Sequence, residues 1–179
     1  MVTGERHNGS LKNGTNYPME TQFSLDGKDK IKILIAEDEP TTRLIYDKGL
    51  FEEIFDKKMA DSGKEAILIY QEWHPDIIIL DIYLHEMTGY QVLKTIRTSL
   101  NDKKTAIVMV TVLSGREDVS SCLKLGIEGY IVKPFQRMEI ALKILSYYAR
   151  KAPAVARQAT ALCMDIVKQS KVSLLSDQN

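Results

Sequence analysis

The sequence predicts an α/β fold in which a five-stranded parallel sheet is covered by helices on both faces. Short apolar runs alternate along the chain with longer segments that have the apolar spacing of helices. The connections between them are only a few residues long, which favours right-handed crossovers and parallel pairing. A doubly wound, flavodoxin-like sheet of strand order 2-1-3-4-5 fits this alternation and the chain length of 179 residues.

Five segments are predicted to form the strands. The clearest is Ile77-Ile78-Ile79-Leu80-Asp81, which is apolar until its final carboxylate. A continuous apolar run of this length is typical of a strand that is buried on both faces in the middle of a parallel sheet. The predicted strands are Ile31–Ala36, 57–60, Ile77–Asp81, 105–110 and Gly129–Val132.

Six helices are predicted from apolar residues at helical spacing and from the Pro and Gly residues that bound these segments. The first begins beside Pro40, which suits a first helical turn. Its apolar stripe is predicted to consist of Leu44, Ile45, Leu50, Phe51, Ile54 and Phe55. The predicted helices cover residues 41–55, 64–73, 90–98, 115–125, 136–150 and 154–172.

The chain is predicted to have three parts. Residues 1–29 are polar and rich in Gly, which indicates a flexible leader, with a short recognition peptide around Tyr17-Pro18-Met19 as the alternative. Residues 30–150 hold the alternating strands and helices. Residues 151–179 form a helical extension that packs on its own domain or on a second copy in a homodimer, or docks on a partner as an output element.

Composition excludes several classes of protein. The 24 basic and 24 acidic residues cancel, so there is no basic excess of the kind that binds nucleic acid, and no direct nucleic-acid partner is expected. No apolar run approaches the roughly 18 residues that span a membrane, and the N-terminus lacks an apolar signal core. A cytoplasmic protein without membrane contact is therefore predicted. Cys122 and Cys163 fall in predicted helices without metal-ligand spacing and are interpreted as thiols.

Polar residues follow the carboxyl ends of four predicted strands: Glu37 and Asp38, then Asp81, then Thr111, then Lys133. Because the carboxyl ends of parallel strands lie along one edge of a sheet, we expect these side chains to converge there. Clustered carboxylates repel each other and need a cation, and hard oxygen ligands suit Mg²⁺. The lysine supplies a charge suited to a phosphoryl group, and the threonine hydroxyl supplies a hydrogen-bond donor.

Asp81 is then predicted to be a nucleophile that forms an aspartyl-phosphate, with the metal and Lys133 offsetting charge on the transferring group. Structural alternatives stand beside this interpretation. Asp81 could cap a turn, Glu37 and Asp38 could be acidic residues that precede a helix, and Thr111 could be a helix N-cap.

This set of residues resembles the receiver domain of two-component response regulators over about residues 30–150. The resemblance is carried, in chain order, by Glu37-Asp38, Asp81, Thr111, Tyr130 and Lys133-Pro134-Phe135. It implies that Asp81 accepts a phosphoryl group from a sensor histidine kinase or a histidine phosphotransfer protein. It also implies a Mg²⁺ ion held by Glu37, Asp38, Asp81 and the backbone carbonyl of Tyr83.

The resemblance further implies that Thr111 and Tyr130 form a switch pair, in which the hydroxyl moves to the phosphoryl group and the ring turns inward. A cis peptide bond between Lys133 and Pro134 would aim the lysine. Tyr130 could instead be a plain core or surface aromatic residue.

Several positions depart from the common pattern of the family: Leu84-His85 and Thr88, and also Tyr83, Val112 and Leu113. Val112 is larger than the usual residue and could crowd the phosphorylation site, and Tyr83 could screen the attacking water. We therefore expect Tyr83, Val112 and Leu113 to affect the lifetime of the phosphoryl group.

The sequence thus predicts a stand-alone response regulator, a phosphoacceptor switch rather than an enzyme. It would signal to a downstream protein target through phosphorylation-dependent contacts of the fourth helix, fifth strand, fifth helix and C-terminal helix. The alternative is a pseudo-receiver scaffold that binds its partner constitutively. A phosphatase is disfavoured because Tyr83 stands where a second catalytic carboxylate is needed. A nucleotide-binding enzyme is disfavoured because no Gly-rich loop follows the first strand.

Overall fold

Parallel strands form the centre of this computed structural model, which describes residues 30–112 and 116–176. The strands in these ranges are β1 (Ile31–Ala36), β2 (Phe55–Ala60), β3 (Ile77–Asp81), β4 (Ala106–Thr111) and β5 (Gly129–Val132). They form one sheet of order β2-β1-β3-β4-β5, and every neighbouring pair is parallel. The predicted flavodoxin-like sheet is confirmed.

Helices cover both faces of this sheet, as predicted. They are α1 (Pro40–Gly49), α2 (Gly63–Trp73), α3 (Gly89–Lys94), α4 (Arg116–Leu125), α5 (Arg137–Tyr148) and α6 (Pro153–Ser176). A π-helix over Thr95–Ser99 continues α3. The predicted leader over 1–29, with Tyr17-Pro18-Met19, lies outside the described residues, as does Gly115, the predicted first residue of the fourth helix.

Side chains alternate between two buried clusters, one on each face of the sheet. In β3, Ile77 and Ile79 belong to the cluster packed against α1, α5 and α6, whereas Ile78 and Leu80 belong to the cluster packed against α2, α3 and α4. All residues of β3 are buried. The predicted central strand is confirmed, and its apolar residues anchor Asp81 at the edge of the sheet.

The first helix is shorter than predicted. It ends at Gly49, and Leu50 has an extended backbone with φ −103° and ψ 101°, so the predicted end at residue 55 is wrong. Phe55 instead begins β2. The cluster that contains the buried residue of α1 also contains Leu50, Ile54 and Phe55. Their apolar spacing therefore arises because the segment that connects α1 to β2 is buried, and not because this segment is helical.

The buried stripe of α1 also differs from the prediction. Leu44 is 56% exposed, whereas Tyr46, which the apolar pattern leaves out, is fully buried. The helix begins where Pro40 predicts, because the Glu39 side chain accepts hydrogen bonds from the amides of Thr41 at 2.8 Å and Thr42 at 2.5 Å. Because Tyr46 is buried, its hydroxyl lies inside the apolar cluster that packs α1, α5 and α6 against the sheet.

The second half of the predicted third helix is a π-helix rather than an α-helix. There the Leu100 amide donates a hydrogen bond to the Thr95 carbonyl at 3.0 Å. Arg97, in this wider turn, is 7% exposed and donates through Nε to the Gly126 carbonyl at 2.8 Å. An apolar pattern at the α-helical period does not distinguish the two helix types over so short a segment.

The C-terminal helix α6 lies against α5 of the same chain. Ala156, Ala159 and Cys163 are buried in the cluster that also contains the core residues of α5. These small side chains permit close approach of the two helices. The helix begins at Pro153 and ends at Ser176, four residues beyond the predicted end at 172. Its contact with a second copy in a homodimer stays a prediction.

Within the described ranges, no helix combines the length and the apolar character needed to span a membrane.

Candidate functional site

The sheet brings the predicted site residues to one edge. Asp81 and Thr111 are the last residues of the neighbouring strands β3 and β4, and Lys133 directly follows β5. The Lys133 amide donates a hydrogen bond to the Thr111 carbonyl at 2.7 Å. Glu37 follows β1, the other neighbour of β3. The expected convergence of strand ends is therefore present in the structure.

Lys133 lies between two buried carboxylates. Its Nζ is 2.9 Å from Glu37 Oε1 and 2.7 Å from Glu37 Oε2, and it also donates a hydrogen bond to Asp81 Oδ2. The side chains of Glu37 and Asp81 are 1% and 7% exposed, and that of Lys133 is 14% exposed. These ion pairs connect the ends of β1, β3 and β5 in a site that is largely shielded from water, where charge interactions are stronger than at the surface.

Burial and charge shift two pKa values in this cluster. Burial would lower the pKa of Lys133, but its hydrogen bonds to Asp81 and Glu37 outweigh that effect and the pKa is raised. For Glu37, burial raises the pKa, the hydrogen bond from Lys133 opposes the rise, and the charge of Asp81 adds to it. Lys133 alone therefore leaves the charge of Glu37 incompletely compensated, and a further cation would stabilise its ionised form.

Backbone groups fix the position of Asp81. The amide of Tyr83 donates to Asp81 Oδ1 at 2.8 Å, while Oδ2 accepts from Lys133. Gly89, at the start of α3, lies so close that a Cβ there would be 1.9 Å from the Asp81 carbonyl oxygen. Glycine is therefore required at this position, because any side chain would displace the strand end that carries the carboxylate.

Asp38, the second acidic residue after β1, contacts the loop between β3 and α3. The Asp38 side chain is 35% exposed, and its Oδ2 is 3.6 Å from His85 Nδ1. This contact is an ion pair only when the His85 imidazole is protonated. Across the part of the chain that the structure describes, no three His, Cys, Asp or Glu side chains form a group that could hold a metal ion.

The donor atoms at this edge nevertheless fit a hard divalent cation. Glu37 Oε2 is buried and has no hydrogen-bond donor in suitable geometry among the described residues, although the Lys133 ammonium lies 2.7 Å away. Three carboxylates and a backbone carbonyl at adjacent strand ends are the ligand type that Mg²⁺ prefers. Glu37, Asp38, Asp81 and the carbonyl of Tyr83 would hold the ion, as the resemblance implies.

The predicted switch residues lie on neighbouring strands. The Thr111 side chain is fully buried. The Tyr130 ring packs against the cluster under α2, α3 and α4 and its hydroxyl is buried, so the ring is turned inward. The Tyr130 carbonyl accepts a hydrogen bond from Tyr147 Oη at 3.0 Å, which joins β5 to α5. The peptide bond between Lys133 and Pro134 is cis, as the resemblance implies.

Two large exposed side chains are close to the site in sequence. Tyr83 is 58% exposed and Val112 is 57% exposed. Val112 borders a mainly apolar groove of about 380 Å³. The groove is lined by Glu39, Thr42, Ile45, Val112, Lys133, Pro134 and Phe135. Leu113, the third residue expected to affect the phosphoryl lifetime, lies outside the described residues.

Sequence reasoning misses two contacts near the site. His85 has no predicted partner, because its approach to Asp38 depends on the path of the loop between β3 and α3. Tyr46 is absent from the predicted stripe of α1, yet its ring centroid is 5.2 Å from that of Phe135, two residues beyond Lys133. A tyrosine in an amphipathic helix is the one sequence signal that could have drawn attention to this position.

The fold and the site together define a class of protein: a doubly wound α/β domain with an acidic pair after the first strand, a strand-end aspartate, and a lysine that contacts this aspartate and the first residue of the pair. The sequence matches the family described as response regulator receiver domain over residues 33–145. The chain belongs to this family.

Solved structures agree with this assignment. The chemotaxis protein CheY4 of Vibrio cholerae is 30% identical, with a TM-score of 0.60, and the match covers 65% of this chain and 97% of that chain. The receiver domain of the Francisella response regulator 1452 is 29% identical, with a TM-score of 0.58, and the match covers 68% of this chain and 98% of that chain. Both similarities support the receiver fold.

Curated relatives are longer than this chain. The probable transcriptional regulator ycf27 of Porphyridium aerugineum is 35% identical over 121 residues, which are 68% of this chain and 49% of the relative. The cell cycle response regulator CtrA of Brucella ovis is 33% identical over 114 residues, which are 64% of this chain and 48% of the relative. This chain spans about half the length of the curated relatives it matches. Because ycf27 is named as a transcriptional regulator, the expectation of no nucleic-acid partner receives no support.

Proposed function

We propose that this receiver accepts a phosphoryl group on Asp81 from a phosphohistidine of a sensor histidine kinase or a histidine phosphotransfer protein. The observation that carries the proposal is the buried bridge of Lys133 to Glu37 and Asp81. A structural turn cap needs no such cation, whereas a carboxylate that must receive an anionic group does. The phosphoryl group stays on the protein, so the domain acts as a switch rather than as an enzyme with a separate substrate.

The chemical step forms a bond between an Asp81 carboxylate oxygen and phosphorus, while the bond from phosphorus to the histidine nitrogen of the donor breaks. The backbone amide of Tyr83 holds one oxygen of Asp81 and so orients the carboxylate for attack. Lys133 moves from Asp81 to a phosphoryl oxygen, and the Thr111 hydroxyl donates a hydrogen bond to another. A bound Mg²⁺ ion would supply charge neutralisation of the transferring group.

We further propose that the phosphorylated domain signals through a face formed by α4, β5 and α5 and through α6. The hydrogen bond from Tyr147 to the Tyr130 carbonyl supports this, because it joins the strand of the predicted switch residue to α5. The packing of α6 on α5 extends the contact to the C-terminal helix. By similarity to relatives named as transcriptional regulators, the downstream target is proposed to belong to a gene-regulatory pathway.

Phosphorylation by a small donor tests the first proposal. Incubating the protein with acetyl phosphate and Mg²⁺ and then measuring the intact mass should reveal one phosphoryl adduct, which is absent when EDTA replaces the metal. Asp81→Asn should gain no adduct. Asp165→Asn is a matched control, because Asp165 is a 64% exposed aspartate on α6. A wild-type protein without an adduct, or an equal adduct on Asp81→Asn, contradicts the proposal.

A pseudo-receiver scaffold is the second candidate. The observation that favours it is that, among the described residues, no three His, Cys, Asp or Glu side chains form a group that could hold a metal ion. A scaffold would bind its partner equally well as wild type, as Asp81→Asn and after treatment with acetyl phosphate. A receiver switch would change its affinity for the partner only when Asp81 carries the phosphoryl group.

A further inference from the structure

A pocket of about 380 Å³ opens at the edge of the sheet that lies opposite Asp81. It is lined by α2 and the segment between α2 and β3, by the segment before β4, and by the turn between α5 and α6. Asp76, which lines the pocket, directly precedes β3, and Asp81 ends that strand. The length of β3, about 16 Å, therefore separates the pocket from the phosphoacceptor site. Its volume suits a small molecule.

A buried tyrosine presents an unused hydroxyl to this pocket. Tyr148 lines the pocket and is 8% exposed. Its hydroxyl makes no hydrogen bond within the described ranges, yet it is not enclosed by protein atoms as the Tyr46 hydroxyl is. Burial, and then the charge of Asp76, raise the pKa of Tyr148 to about 12. The group is therefore a neutral hydroxyl that can donate a hydrogen bond to a ligand.

Two charged side chains at the mouth of the pocket form no ion pair with another described residue: Asp76 and Lys104. Both are exposed. Asp76 Oδ2 accepts a hydrogen bond from the Lys32 amide at 2.9 Å, which leaves Oδ1 available to a ligand. The Ala106 amide donates to the Asp76 carbonyl at 2.9 Å, and Lys104 lies two residues before Ala106. The two opposite charges therefore belong to the starts of neighbouring strands, whose backbones are about 5 Å apart.

The other charged groups of the lining are already paired. Asp102 accepts from the Tyr70 hydroxyl at 2.8 Å and from two backbone amides at 2.6 and 3.2 Å. Lys151 Nζ forms an ion pair with Glu128 at 3.0 Å. One ring nitrogen of His74 lies 3.2 Å from the Tyr70 carbonyl. The protein thus leaves one carboxylate, one ammonium group and one phenol hydroxyl of this pocket to a ligand.

We propose that this pocket binds a free α-amino acid with an apolar side chain. The ammonium group of the ligand pairs with Asp76, and the carboxylate of the ligand pairs with Lys104 and accepts a hydrogen bond from the Tyr148 hydroxyl. The side chain of the ligand contacts Pro75 and Ala152, in the apolar part of the lining. Opposite charges at the starts of neighbouring strands match a compact zwitterion, whereas a ligand with a single charge leaves one of them unpaired. This inference does not depend on the proposed function.

Nuclear magnetic resonance of the full chain tests both the ligand and its location, with L-phenylalanine and L-leucine as the probes. At least one probe should shift the amide signals of Thr105 and Ala152 saturably, with a dissociation constant of about 1 mM or below. The amide signals of Thr111 and Lys133, at the phosphoacceptor site, should stay unchanged.

Analogues that lack one charge test recognition of the zwitterion. The analogues without the ammonium group are 3-phenylpropionate and 4-methylpentanoate, and those without the carboxylate are phenethylamine and 3-methylbutylamine. Each should bind about tenfold more weakly than its parent amino acid, because each loses one charge-assisted hydrogen bond.

Variants of the lining test each contact separately. Asp76→Asn keeps an oxygen for the Lys32 amide but loses the charge, and Lys104→Met keeps the apolar part of the side chain; each should weaken binding about tenfold. Tyr148→Phe keeps the ring and should weaken binding about fivefold. Lys103→Met is the matched control, because Lys103 is exposed beside Lys104 and does not line the pocket. Its affinity should equal that of the wild type.

Three outcomes overturn the inference. The first is the absence of saturable shifts with both probes up to about 10 mM. The second is an analogue with one charge that binds as tightly as its parent amino acid. The third is a set of shifts centred on Thr111 and Lys133, or an affinity that Asp76→Asn and Lys104→Met both leave within about twofold of the wild type. Both of these side chains are exposed, so their variants remain informative even if Tyr148→Phe unfolds.

Discussion

Replacing Lys133 by methionine tests the charge balance of the site. Methionine keeps most of the apolar side chain but removes the ammonium group that contacts both Glu37 and Asp81. These carboxylates are 1% and 7% exposed, so they would remain buried without a cation. Removing one partner of a buried ion pair typically costs about 3–5 kcal/mol. We therefore expect Lys133→Met to be markedly less stable than the wild type in metal-free buffer.

Protonation sets an upper limit to the part of this loss that comes from Glu37 and makes that part depend on pH. A carboxyl group with the ordinary pKa of 4.5 can be neutralised at pH 7 for about 3.4 kcal/mol, and at pH 5 for about 0.7 kcal/mol. Glu37, whose pKa burial raises even beside Lys133, is the group expected to take the proton. A folded-state pKa above the unfolded value gives stability that is present at low pH and is lost as the pH rises. The expected loss is thus about 3 kcal/mol at pH 7 and about 1 kcal/mol at pH 5.

Urea denaturation in EDTA at both pH values measures this difference, and a third series in Mg²⁺ tests compensation. Mg²⁺ should restore more stability to Lys133→Met than it adds to the wild type, since the ion no longer competes with the ammonium. Lys57→Met is a control, because Lys57 is 10% exposed but its partner Asp47 is 40% exposed. It should lose about 1 kcal/mol or less, without dependence on Mg²⁺. Equal stability of Lys133→Met and the wild type at pH 7 would refute the reasoning.

Two further predictions concern the phosphoryl lifetime and the support of the sheet. Tyr83 is 58% exposed and lies two residues after Asp81. Tyr83→Ala should shorten the half-life of the phosphorylated protein by about tenfold, which corresponds to about 1.4 kcal/mol of barrier. An unchanged decay of the phosphoryl adduct in intact-mass measurements would show that the ring does not screen water. Glu128→Gln should lower the free energy of unfolding by about 2–3 kcal/mol. Glu128 accepts from the Ile107 amide at 2.7 Å and pairs with Arg97 at 3.4 Å and Lys151 at 3.0 Å. Urea denaturation checks this, and a loss below about 0.5 kcal/mol would argue against a stabilising network.

The parts of the molecule that the sequence predicts are those set by local patterns and by strand order. The continuous apolar run before Asp81 requires a strand buried on both faces, and β3 is such a strand. Once strands and helices alternate, a parallel sheet places every strand end on one edge. Asp81, Thr111 and Lys133 are therefore brought to one edge by topology alone, without any knowledge of side-chain contacts.

The parts that could not be predicted depend on tertiary contacts. The end of α1 was obscured because Leu50, Ile54 and Phe55 are buried by the fold rather than by a helix. The bridge from Lys133 to Glu37 joins residues 96 positions apart, and no local pattern encodes which carboxylate the ammonium contacts. The contact of Asp38 with His85 likewise depends on the conformation of two loops. Such pairings follow from the path of the backbone in three dimensions.

The two carboxylates bridged by Lys133 have different surroundings, which suit the different roles proposed for them. Asp81 is held by the Tyr83 amide on one oxygen and by Lys133 on the other, an arrangement that would orient the proposed nucleophile. Glu37 lies deeper, its pKa is raised by burial, and its charge acts on the buried Tyr46 hydroxyl. Transfer of Lys133 to a phosphoryl group would remove the cation from both carboxylates, but only Glu37 would then need another source of stabilisation, because Asp81 would be an acyl phosphate and no longer a free carboxylate. In the proposed mechanism, the protonation state of Glu37, rather than that of Asp81, would therefore decide whether Mg²⁺ stays bound while Lys133 contacts the phosphoryl group.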